Sequence, residues 1–249
     1  MDILSLLGVL VATAAIILGQ IIEGGHFNSL FSVSAFIIVI GGSLGAVLLQ
    51  VSTVTFLRSL SMLRWLFLPP KIHWTAHVKK MCYWGDLARR DGILGLENII
   101  PRENDHFTQK ALQLLVDGRE PAIIRHIMEV EIDLSEAAEM HAAKVYEAMG
   151  GYTPTLGILG AVMGLIHVME NLKDPNNLGQ GIATAFVATV YGVGLANLFL
   201  VPASKKLQAY VRQFTMEKEM ILEGIVLIAQ GENPRNIAKR LASFDRSNA

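Results

Sequence analysis

Pro154, Thr155, Thr189, Tyr191 and Pro202 are the residues of this 249-residue chain whose types and positions suit chemistry in an apolar setting. All lie in or beside runs that are almost free of charge. A proline in such a run removes a backbone donor, and the carbonyl it strands must be satisfied by water, a side chain or another helix. Prolines at the charged ends of two successive runs therefore point to a polar path, with a plain helix-end role as the alternative. Thr153, His167, Thr184 and Asn197 complete the polar inventory. A threonine in such a helix commonly bonds its own backbone, and Asn197 suits a bond to a neighbouring helix. His167, thirteen residues beyond Pro154 and so about 20 Å further along a helix axis, is expected near the far interface. None of the apolar runs holds an Asp, Glu, Lys or Arg in its interior. A membrane carboxylate is the default carrier of a proton or sodium ion. Either the chain moves no ions, or a partner supplies the carboxylate.

The elements that must position these residues are four apolar segments, about 3–22, 30–51, 152–172 and 179–203. Each is close to the roughly 20 residues that cross a bilayer as a helix. The chain is 52% hydrophobic and 17% charged, against roughly 25% charged in soluble proteins. The first segment has no basic residue before it and no cleavage site, and reads as a retained span. No Lys or Arg lies between spans one and two, and only Lys173 lies between three and four; twelve lie between Val51 and Tyr152 and eight follow Pro202. With Arg58, Arg64, Lys205, Lys206 and Arg212 near the span ends, both termini and the segment 52–151 are expected in the cytoplasm.

The sequence thus predicts an all-α integral membrane protein with four transmembrane helices and a helical cytoplasmic domain. Its divisions are 1–51 (spans one and two), 52–151 (cytoplasmic), 152–203 (spans three and four) and 204–249 (cytoplasmic helices). Span three carries Gly157, Gly160 and Gly164, which exchange helix propensity for close backbone approach. Gly41 and Gly45 of span two form a small-xxx-small pair expected to receive another helix. Val54–Leu68 is amphipathic and ends at Pro69-Pro70, with Trp65 and Trp74 suited to the inner headgroup level. Helices are expected over 73–90, 93–100 and 107–115. A longer one runs from Pro121 to Ala148, breaking at Gly150-Gly151, with Ile124, Ile127, Val130, Leu134, Ala137 and Ala142 on its apolar face. Ala203–Ile228 and Pro234–Phe244 complete the set.

Other chemistry finds no support. There is no phosphate-binding glycine loop and no nucleophile elbow. His73 and His77 share a helix face without a third metal ligand. Neither a catalytic residue, a metal nor a cofactor is implied, and a net charge of −1 argues against nucleic-acid binding. The single cysteine, Cys82, permits no disulfide within the chain. The charged run Arg89-Arg90-Asp91 to Glu97 suits a solvated face or a protein contact made and broken quickly.

Several motifs together resemble the MotA/PomA stator subunits of the bacterial flagellar motor, within the wider MotA/TolQ/ExbB group. They are EGGH after span one, IGGSLGAVL, ARRDGILGLE, PTLGILGAVMGLI, ATAFVATVYGVGLAN and GENPRNIAKRL. The resemblance covers almost the whole chain, and the four-span layout is similar to the stator branch rather than to three-span TolQ or ExbB. It implies an inner-membrane homopentamer around two chains of a MotB-like partner, which brings the missing aspartate, with the cytoplasmic domain engaging the rotor protein FliG. By motif position, Pro154 and Pro202 match the family's two prolines. Arg89 and Glu97 match its torque-associated pair, with the role of their neighbour Arg90 left open. Sodium-using relatives carry threonine seven residues after the first proline and a Thr-Thr pair on span four; here those positions are Ala161 and Ala188-Thr189. A sodium ion needs several oxygen ligands and a proton only a wire and an acceptor, so the resemblance implies proton coupling, with Thr189 bordering the partner aspartate. The alternatives are a sodium-coupled PomA-type stator and a TolQ/ExbB-like energiser of an outer-membrane process.

Overall fold

The computed structural model describes residues 3–24, 30–170 and 175–244. The described residues form helices joined by short turns, without strands. Most of the segment EGGHFNS after span one, residues 25–29, and Lys173 lie outside them.

In chain order the helices are α1 (Ile3–Ile22), α2 (Val33–Gln50), α3 (Thr53–Met62), α4 (Arg64–Phe67) and α5 (Trp74–Asp91). A 3₁₀ segment (Ile93–Arg102) precedes α6 (His106–Val116) and α7 (Pro121–Glu170). Then come α8 (Pro175–Leu195), α9 (Val201–Ala229) and α10 (Pro234–Leu241). Four stretches are long and apolar enough to cross a membrane: α1, α2, part of α7, and the run beginning at Gly181. The chain forms two compact units, one of residues up to Pro69 with Glu139–Ala209, the other of Pro70–Ala138 with Tyr210 onward.

In the first unit α1 buries none of its residues. A helix that is apolar all round and unburied belongs in lipid. Its first turn is tethered by a hydrogen bond from Lys206 Nζ to Ser5 Oγ. Ser32 caps α2, accepting from Ala35 N at 3.3 Å. Val51 and Ser52 turn the chain, and Ser52 caps α3 by accepting from Thr55 N at 3.3 Å. Tyr146 of α7 donates to Ser59 O at 2.8 Å, and Glu139 accepts from Arg58 Nε at 2.9 Å, so two side chains of α7 fix α3 against it.

Four expectations change. First, α7 does not break at Gly150-Gly151. A β-carbon at Gly150 would sit 2.8 Å from Val201 Cγ2, so that glycine serves close packing and leaves the helix intact. Second, Gly41 and Gly45 have no neighbour within 4 Å of a β-carbon among the described residues, whereas Gly42 meets Leu156 at 3.1 Å. Third, the buried stripe of the polar half of α7 is Ile124, Met128 and Ile132, while Val130 and Leu134 are 46% and 68% exposed. The apolar positions there form two stripes, and only one meets the core. Fourth, Trp65 is buried beneath the Arg58 guanidinium, 5.1 Å from its ring centre, and Trp74 packs on the core of the second unit; neither needs a headgroup to cover it.

That second core gathers Met81, Trp84, Leu96, Leu112, Ile124 and Ile225, among others. Gly85 and Gly224 let helices close on it: a β-carbon at Gly85 would lie 2.9 Å from Ile237 Cδ1, and one at Gly224 2.7 Å from Met81 Cγ. Asp105 caps α6, accepting from Thr108 N at 3.0 Å, and Asn233 caps α10, accepting from Arg235 N at 3.0 Å. Glu223 binds Arg125 at 2.5 Å and Arg240 at 3.1 Å, pinning α10 in place.

Candidate functional site

The site is built on the contact between α7 and α8. Glycines on one helix face small groups on the other, so the backbones almost touch. A β-carbon at Gly157 would come 2.9 Å from Ala188 O and 3.4 Å from Thr189 Cα; one at Gly160 would come 2.9 Å from Ala188 Cβ. One at Gly192 would come 2.6 Å from Thr153 O and 3.2 Å from Pro154 Cα. Pro154 and Thr189 are thereby held one turn apart along the same contact.

Both prolines lie inside continuous helix, so neither is a helix-end residue as the alternative reading had it. Pro154 cannot donate to Gly150 O. Thr153 takes over, its hydroxyl within 3.2 Å of both Gly150 O and Met149 O, and its side chain is fully buried. At Pro202 the solution differs. A π turn, Ala196–Leu200, runs directly into Val201. Such a turn widens the helix where a proline removes a donor and crowds the preceding carbonyls.

Other residues singled out from the sequence sit as follows. Thr155 is exposed and donates to Tyr152 O at 2.7 Å. Thr189 is half-buried and donates to Ala185 O at 3.4 Å, the own-backbone bond expected of a membrane threonine. Asn197 likewise bonds its own helix at Val193 O, 2.9 Å away, instead of a neighbour. Ala161 is half-buried and Ala188 fully buried, its methyl against Gly160. Tyr191 donates to Leu30 O at 2.6 Å and accepts from Ser32 N at 3.4 Å, tying α8 to the start of α2.

A feature the sequence reading missed is a cavity of about 370 Å³ between α2, α7 and α8. Ser34, Ile38, Met163, Gly164, His167 and Thr184 are among the residues lining it. His167 and Thr184 were visible as polar residues, but no local pattern paired them with Ser34.

In the second unit, Arg89 and Arg90 lie in the last turn of α5, Gly92 reverses the chain at φ 78°, and the 3₁₀ segment carries Glu97. All three charged side chains are exposed. Leu96, fully buried, anchors the segment between them. On α9 the Glu219 carboxyl is pushed above the usual carboxylate range, by burial first and then by Glu136 and Asp133.

Apolar helices joined through a glycine contact, and continuing into a polar helical unit, define a multi-pass α-helical membrane protein with a close-packed pair of spans. A model of the MotA/TolQ/ExbB proton channel family matches residues 100–220. Motility protein A of Helicobacter pylori is 34% identical over 98% of this chain and 95% of its own length. The structure of MotAB from C. jejuni superposes with a TM-score of 0.93 at 30% identity, covering 100% of this chain and 98% of that one. The flagellar MotAB stator complex from Bacillus subtilis gives 0.87 at 32% identity, covering 98% and 96%. The chain belongs to the MotA/TolQ/ExbB proton channel family.

Proposed function

We propose that this chain is the channel subunit of a flagellar motor stator in the bacterial inner membrane, converting ion-motive force into torque. The observation that carries this reading is the full-length likeness to chains of stator complexes. The sequence supplies its complement: spans with no carboxylate of their own require one from elsewhere. A MotB-like partner supplies the aspartate, five copies of this chain surround two partner chains, and the polar unit engages the rotor protein FliG through Arg89, Arg90 and Glu97. The termini lie in the cytoplasm, in keeping with the basic residues near the span ends and with the bond between Lys206 and Ser5.

The path runs along α7 and α8 past Pro154, Thr155, Ala161, Ala188, Thr189, Tyr191 and Pro202, and the ion is the proton. Alanines at 161 and 188 offer no oxygen to replace the hydration shell of sodium. Thr189 stands on the same glycine contact as Pro154, where a partner carboxylate has a hydroxyl beside it.

Swimming speed tests the reading in cells whose only stator is this chain with its cognate partner. Speed insensitive to sodium at fixed pH and abolished by a protonophore is the expected result. Speed that tracks sodium overturns the choice of ion, and absence of motility with both chains well expressed overturns the stator reading.

A further inference from the structure

The segment after α2 has an apolar face that nothing among the described residues covers. Val54, Leu57, Leu60, Phe67 and Leu68 are 79%, 60%, 46%, 43% and 62% exposed. The opposite side, Ser59, Met62 and Trp65, is buried and held to α7 by the Tyr146 and Glu139 bonds described above. The exposed side is therefore fixed in direction and cannot rotate inward.

Two observations say what covers it. The first is continuity. Only Val51 and Ser52 separate α3 from α2, whose last turns expose Leu48 at 50% and Leu49 at 92%. The apolar face thus begins where the lipid-facing surface of a membrane-spanning helix ends. The second is charge. No Asp or Glu occurs between Val51 and Pro70, while Arg58 and Arg64 do. Arg58 is committed to Glu139 at 2.7 Å, but Arg64 is exposed, at helical spacing from Leu57, Leu60, Phe67 and Leu68. An amphipathic segment whose exposed apolar face carries a long cationic side chain, able to extend its charge to the polar layer, fits an anionic membrane surface.

We propose that α3 and α4 lie in the headgroup layer and bind anionic phospholipid, with Leu57 and Leu60 among the acyl chains and Arg64 on the phosphate. This rests on the membrane-spanning reading of α2 and not on the ion or the rotor contact. The segment is then a foot that fixes the depth of α2 and, through Tyr146 and Glu139, of α7.

The test places a nitrobenzoxadiazole label at Leu57→Cys in the full chain, with Cys82→Ala, in phosphatidylcholine vesicles. Leu60→Cys serves if the first variant does not assemble. Quenchers are iodide in water and a minor fraction of doxyl-labelled lipid bearing either a phosphatidylglycerol or a phosphatidylcholine headgroup. Quenching by doxyl lipid, with an excess for phosphatidylglycerol of about fivefold that Arg64→Gln removes, is the expected result. Equal quenching by the two headgroups overturns anionic recognition. Quenching by iodide alone overturns membrane contact, and shielding from all three shows a second copy of the chain on this face and overturns the proposal. None of these outcomes depends on motility, so its failure is distinguishable from failure of the stator reading.

Discussion

The hydroxyl of Thr153 stands in for the backbone N–H that Pro154 lacks, lying 3.2 Å from Gly150 O. Gly150 itself is pressed against Leu200 and Val201. Three successive demands on one turn of α7 are met locally: a proline without a donor, a carbonyl without a partner, and a glycine that admits the neighbouring helix. Water is not needed to complete the hydrogen bonding of the helix at this proline, so the path proposed past it rests on its position beside α8.

Removing that hydroxyl tests the arrangement. Thr153→Val keeps the shape of the side chain and leaves Gly150 O without its surrogate donor. A loss of roughly 1–3 kcal/mol is expected, read as a lower unfolding temperature in detergent, with Thr153→Ser restoring most of it. Equal stability of the Val and Ser variants would show that the hydroxyl does not matter.

The two kinds of glycine should respond oppositely. Gly192→Ala drives a β-carbon to within 2.6 Å of Thr153 O and is expected to destabilise by roughly 1–3 kcal/mol. Gly151→Ala, in open space within an unbroken helix, is expected to stabilise by roughly 0.5–1 kcal/mol. Thermal unfolding of both variants against the unaltered chain gives the answer. A loss at Gly151 would mean that α7 bends there after all.

Ala188 carries a related prediction. It is fully buried with its methyl against Gly160, so Ala188→Thr adds volume where none is free and is expected to destabilise by roughly 1–3 kcal/mol. Combined with Ala161→Thr it should not confer sodium-dependent swimming. Motility that follows sodium in the double variant would show that side-chain oxygens alone decide the ion.

Reversing Arg89 or Glu97 is expected to lower torque or recruitment to the motor while the chain and its partner still co-purify. Both side chains are exposed, and exposed pairs contribute about 0–1 kcal/mol each, so stability should hold. Bead-assay torque and co-purification measure the two effects separately. Unchanged torque in both reversals would remove these residues from the rotor contact.

Glu219 gives a pH signature. Its folded carboxyl titrates above its unfolded value because of burial, Glu136 and Asp133. The folded chain therefore holds that proton longer, and ionisation as pH rises through the raised value lowers stability. Glu219→Gln is expected to melt higher than the unaltered chain at neutral pH, by a small margin because the site is partly solvated. The difference should vanish below the carboxylate range. A gain that persists in acid would have another cause.

The sequence by itself determined the spans, the charged segments between them and the glycines that bring two spans together. Each is a local signal: a run long enough to cross hydrocarbon, a clustering of Lys and Arg, a residue without a β-carbon. It also determined the exposed turn from Arg89 to Glu97, since a glycine at positive φ and a charged run need no distant partner. Only the tertiary structure decided what each glycine meets. Gly150 reads as a helix break and is a packing surface; Gly41 and Gly45 read as a contact, yet among the described residues it is Gly42 that meets another helix, at Leu156. Tyr191 is legible as a polar residue of its span, but its bond to Leu30 O, 161 positions away, is not. Ser34, His167 and Thr184 come together around one cavity from three helices. The reason is physical: pattern and propensity act over a few residues, whereas helix rotation and close contact are set by surfaces far apart in the chain.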